Sequence, residues 1–91
     1  MQFSQLLKKL REDNNLSQKK VSDYLGYGSA QFISNAERGV SFLPMNDVIK
    51  LASLFNVSVD FLISKYIQNK VELYELELKE KFKCLSTRKK K

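Results

Sequence analysis

The stretch LSQKKVSDYLGYGSAQFISNAERG, Leu16–Gly39, decides the fold, because it holds two short helices together with start and stop signals for each. Ser17 is placed to cap the open N–H groups of the first, Val21 and Leu25 lie four apart on one face, and Gly26 suits the left-handed residue that ends it. GYG then makes a turn, with Ser29 expected as N-cap of the second helix and Gly39 as its stop. At roughly 100° per residue, Phe32, Ile33 and Ala36 of this second helix fall on one side and can pack. Ala30, Gln31, Ser34, Asn35 and Arg38 share an arc of about 140° on the other. Such an arc either faces water, as most helix exteriors do, or touches something. Solvated exteriors ordinarily carry Lys and Glu, and these small, amide-bearing groups depart from that composition.

Working outward, Phe3, Leu6, Leu7 and Leu10 recur at helical spacing over Gln2 to Asp13 before DNN breaks the pattern. After Gly39, VSFLP reads as an irregular loop. A fourth helix is expected to begin at Asn46 or Asp47 and to bury Val48, Ile49, Leu51, Ala52, Leu54 and Phe55. NVSVDFLI reads as a turn with Ser58 capping a fifth helix that buries Val57, Val59 and Leu62. From Ser64 the composition becomes charged, free of Gly and Pro, and strongly helix-forming. Here Ile67, Val71, Tyr74, Leu78, Phe82 and Leu85 recur every three or four residues and make one apolar stripe that needs a partner. The expected architecture is all-α: a five-helix domain over 1–63, an amphipathic C-terminal helix over 64–85 and a basic tail over 86–91.

Composition agrees. One proline and three glycines among 91 residues, 43% of them hydrophobic, suit helices joined by short turns and a modest core. The formal charge of +6 is unevenly spread: residues 1–63 hold seven Lys/Arg against six Asp/Glu, a balance of +1, and residues 64–91 hold nine against four, a balance of +5. Bulk charge therefore says little about the domain, and the basic tail either attracts phosphate nonspecifically or is simply solvated. Cys84 is the only cysteine and there is no histidine, so a disulfide framework and a Cys/His metal site are both excluded, and a reducing, cytoplasmic setting is expected. The start MQFSQLLKKLRED lacks the apolar core of a signal peptide, and no segment approaches a membrane span. Without histidine, a phosphate-cradling glycine loop or a metal-ligand cluster, the chain is expected to be no enzyme and to take no cofactor or small-molecule substrate.

The ordered combination Ser17-Gln18, Gly26, Ile33-Ser34, Glu37-Arg38-Gly39 and the ending NVSVDFL resembles the phage-repressor and Cro family (XRE family) of helix-turn-helix proteins over roughly residues 5–63. That resemblance implies a lambda-repressor-like domain whose partner is double-stranded DNA, with the third helix in the major groove and the second crossing above it. It implies base contacts from Ala30, Gln31, Ser34 and Asn35, an amide pairing with adenine at two points and an alanine methyl meeting a thymine methyl. Ser17, Gln18, Lys19, Ser29, Arg38, Ser41 and Asn46 would contact phosphates, helped by the open N–H groups of the second helix. Arg11 and Glu37 occupy positions that form a buried or half-buried ion pair in many such repressors. Two features depart from the family: the turn GYGS is one residue longer, and VSFLPMN lacks the basic side chains that often grip phosphate there, leaving Val40, Phe42 and Leu43 to pack or to meet a second subunit.

Family members normally bind pseudo-palindromes as dimers. The stripe from Ile67 to Leu85 offers a homodimer seam, although heptad placement puts Lys81 on it, so a short helix pair and packing back onto the domain both fit. The expected function is a sequence-specific transcriptional regulator, a repressor. The alternative is an interaction module or antitoxin subunit that docks a partner through the C-terminal helix.

Overall fold

The computed structural model describes residues 2–89, with side chains as far as Lys83. Its five helices are α1 (Phe3–Asp13), α2 (Gln18–Leu25), α3 (Gln31–Glu37), α4 (Met45–Leu54) and α5 (Val59–Lys89), and no strand occurs among the described residues.

Each helix begins and ends for a local reason. The Gln5 side chain accepts the Gln2 N–H at 3.0 Å as α1 opens, and Asn15, at φ 56°, turns the chain out of it. The Ser17 hydroxyl accepts the Lys20 N–H at 3.0 Å, and Gly26 closes α2 at φ 89° in the left-handed region that a side chain disfavours. Helix α3 starts one residue later than Ser29 suggests: Ala30 is its N-cap, because Gly28–Ala30 form the turn. The Ser29 hydroxyl reaches the Gln31 N–H only at 3.4 Å. Helix α4, by contrast, starts earlier than Asn46. The extended Pro44 is its N-cap and its carbonyl accepts the N–H groups of Asp47 and Val48. Asp47 turns inward, and Ile49, expected in the core, is exposed on the outer face of α4.

Ser58 caps α5 through the Phe61 N–H at 3.0 Å, and Val59, another expected core residue, lies exposed in the first turn. The composition shift at Ser64 leaves the backbone unbroken. With no Gly or Pro after Val59, the fifth helix and the C-terminal amphipathic helix are one element, roughly 46 Å long at 1.5 Å per residue. No helix of the described residues is long and apolar enough to cross a membrane.

The core is built from Leu7, Val21, Ile33, Val48, Leu51 and Leu62, one or two from each helix, with Leu43 from the α3–α4 connection. It extends along α5 past Leu62. Tyr66 is buried edge-on against Phe3 and Phe42, at ring separations of 5.2 and 5.6 Å, and donates its hydroxyl to the Leu43 carbonyl. Buried Asn69 accepts the Phe3 N–H at 2.8 Å, so α5 supplies a cap for the start of α1. Replacing Asn69 with Leu strands that N–H inside the protein and should lower unfolding free energy by about 1–3 kcal/mol. Urea denaturation checks this, and an unchanged midpoint would show that the contact is dispensable.

Candidate nucleic-acid interface

Seven residues make α3 too short to persist alone, so its direction is set by what grips its two ends. At its start, the Tyr27 ring stacks on Phe32 with centroids 4.4 Å apart and planes 17° from parallel. The Tyr27 hydroxyl donates to the Asp47 carboxylate in α4, and that hydrogen bond, followed by burial, raises the phenol above its ordinary pKa. The turn is thereby tied to the scaffold.

At its end, Glu37 receives three hydrogen bonds. Arg11 Nε donates to Glu37 Oε2 at 2.6 Å and Arg11 Nη2 to Oε1 at 3.1 Å, a two-point fork between α1 and α3. Gln18 Nε2 donates to Oε1 at 3.0 Å, bringing in the first turn of α2. The Glu37 side chain is only 3% exposed and Arg11 12%. The hydrogen bond to Glu37 raises the guanidinium's pKa above its ordinary value, and Arg11 Nη1 also donates to the Leu16 carbonyl at 2.8 Å, holding the α1–α2 connection. A single carboxylate thus joins α1, α2 and α3.

What these grips leave outside is the polar arc of α3. Gln31 and Arg38 are exposed, Ser34 and Asn35 half-buried, and Ala30 half-buried at the N-cap. Gln31 Nε2 and Arg38 Nη2 both donate to Asn35 Oδ1, at 2.9 and 2.6 Å, so the three side chains form one connected group. Helix α2 packs against α3. At the start of α2, Ser17 caps, Gln18 gives one amide N–H to Glu37, and Lys19 lies exposed in an ion pair with Asp23 at 2.6 Å. Ser29 is exposed in the turn, while Ser41 and Asn46 are exposed further on, in the α3–α4 connection and the first turn of α4.

A family model described as helix-turn-helix matches residues 7–62, more than half of the chain, and the chain belongs to that family, the Cro/C1-type or XRE-family helix-turn-helix proteins. It is a DNA-binding transcriptional regulator of that kind, in a family of regulators rather than enzymes. Comparison with curated proteins gives no match.

Three positioning residues carry no strong mark in the sequence pattern. In the sequence, Tyr27 and Asp47 read as turn and cap residues, and Asn69 lies within a charged helical run. The one available signal is an asparagine three residues after Tyr66 and seven after Leu62, in register with the buried face of that helix. Removing Glu37 tests the junction. Glu37→Ala leaves the Arg11 charge without its partner in a largely buried setting and should cost about 3–5 kcal/mol. A variant that melts within a degree or two of the parent contradicts this role.

Proposed function

We propose that the chain represses transcription as a homodimer, by occupying a pseudo-palindromic operator with the outer face of α3 in the major groove of each half-site. The observation that carries the reading is the composition and setting of that face: Gln31, Ser34 and Asn35 project hydrogen-bonding groups from a helix held rigidly at both ends. Side chains of this size reach base edges closely, and Ala30 at the N-cap offers a methyl group to thymine.

Phosphate contacts come from the rim. The N–H groups that open α2, with Ser17, Gln18 and Lys19 beside them, present the positive end of a helix dipole. Ser29, Arg38, Ser41 and Asn46 add donors along the turn, the end of α3 and the start of α4. Because residues 1–63 carry a balance of only +1, positioning relies on these directed donors more than on bulk charge.

The dimer uses α5. Ile67, Val71, Tyr74, Leu78 and Phe82 are all exposed, and Val71 lies about 180° around the helix from buried Leu62. The Leu85 side chain and those of the 86–91 tail lie outside the described residues. Beyond Val71 the stripe runs past its own domain, and folding back onto it would require a break that the continuous helix lacks. Ile67 and Val71 also border an apolar groove lined by Phe42, Pro44 and Met45, which extends the surface available to a second copy.

Two measurements test this. Gln31→Ala should cost roughly 1–3 kcal/mol on the selected operator and little on random duplex, and equal losses on both would remove base readout from α3. Leu78→Glu, on the solvent side of α5, should leave the fold intact and convert a sedimenting dimer to a monomer. A wild-type protein that already sediments as a monomer with bound operator would contradict the homodimer and favour a different protein as the partner of the stripe.

A further inference from the structure

We propose that Arg38 and Gln31 hold Asn35 as a donor-only group, so that it selects guanine over adenine; this rests on the reading that the outer face of α3 enters the major groove. A carbonyl oxygen offers two lone pairs. On Asn35 Oδ1 both are used, one by Arg38 Nη2 at 2.6 Å and one by Gln31 Nε2 at 2.9 Å. Arginine can only donate, so the atom facing it is the amide oxygen and not the amide nitrogen, which settles which way the side chain is turned. The spacing makes the clamp natural: Gln31 is four residues before Asn35 and Arg38 three after, all on one face of the helix.

What remains for a ligand is the Asn35 Nδ2 amino group. Two-point pairing with adenine needs an acceptor for its N6 amino group and a donor for its N7, and a clamped Asn35 supplies only donors. It can still donate to adenine N7, but it offers no acceptor to the adenine N6 amino group, so one of the two bonds is lost. Guanine displays two acceptors in the major groove, O6 and N7, and suits a donor-only side chain. The expectation that an asparagine on this helix reads adenine is thereby reversed by its two neighbours. Arg38 becomes a specificity-determining residue through Asn35, in addition to any charge it brings toward phosphate.

The experiment starts from duplexes selected by the wild-type protein out of a random-sequence library. Every single base-pair substitution in the selected half-site is then measured with wild type, Asn35→Ala and Arg38→Ala. The position read by Asn35 is the one whose preference flattens in Asn35→Ala. Wild type should prefer guanine there, and Arg38→Ala, by freeing one lone pair, should narrow the guanine-to-adenine ratio by about tenfold. A lost phosphate contact weakens all sequences alike and cancels in that ratio. Adenine at that position in wild type, or a ratio unchanged by Arg38→Ala, overturns the proposal. If wild type selects no motif, or Asn35→Ala flattens no position, the major-groove reading itself fails and takes the clamp with it.

Discussion

The carboxylate of Glu37 is the point on which the arrangement turns. It sits at the end of a helix too short to hold its own direction, and it accepts hydrogen bonds from Arg11 of α1 and Gln18 of α2. Burying a charge pair is a poor way to gain stability, since desolvation offsets much of the attraction. Its value here is directional. A two-point fork from a planar guanidinium fixes the angle of α3 against α1, and the third bond fixes the first turn of α2 against both. The elements that would meet base edges and phosphates are therefore locked to each other before any DNA arrives, which limits the entropy lost on binding.

The opposite end of α3 is held by different physics: an aromatic stack of Tyr27 on Phe32 and a phenol–carboxylate hydrogen bond to α4. Behind this framework α5 works on two sides. Its inner side completes the core through Leu62 and Tyr66 and caps the start of α1 through Asn69. Its outer side carries the apolar stripe away from the domain. Core formation and the exposed apolar stripe are thus coupled along one helix, and Ile67 and Val71 sit within a turn or so of Tyr66 and Asn69.

Much of this was legible because it is written in local chemistry. Ser17 and Gly26 bound α2 wherever it sits, and the spacing of Leu7, Val21, Ile33, Leu51 and Leu62 marks the buried faces directly. Misplaced boundaries have identifiable causes. Ser29 has the right side chain for an N-cap, but the turn runs on through Gly28–Ala30, so Ala30 caps instead. Pro44 fixes an extended backbone that starts α4 before Asn46. The shift in charge at Ser64 suggests the start of a new element, although composition alone does not interrupt a helix that contains no breaker. Ile49 and Val59 are apolar yet exposed, because helical spacing gives the width of an apolar stripe and not which of its edges a neighbour covers. Contacts between distant residues, such as Phe3 with Asn69 or Tyr27 with Asp47, leave no periodic trace in the sequence.

On the proposed reading, the outer face of α3, held in place by Glu37, is the surface that meets DNA. Amide chemical-shift mapping of the labelled protein, titrated with a duplex it selects, tests this most directly. The largest changes are expected at Gln31, Ser34, Asn35 and Arg38 and in the first turn of α2 from Ser17 to Lys20. Changes confined to α5, with α3 unaffected at saturating duplex, would contradict that reading.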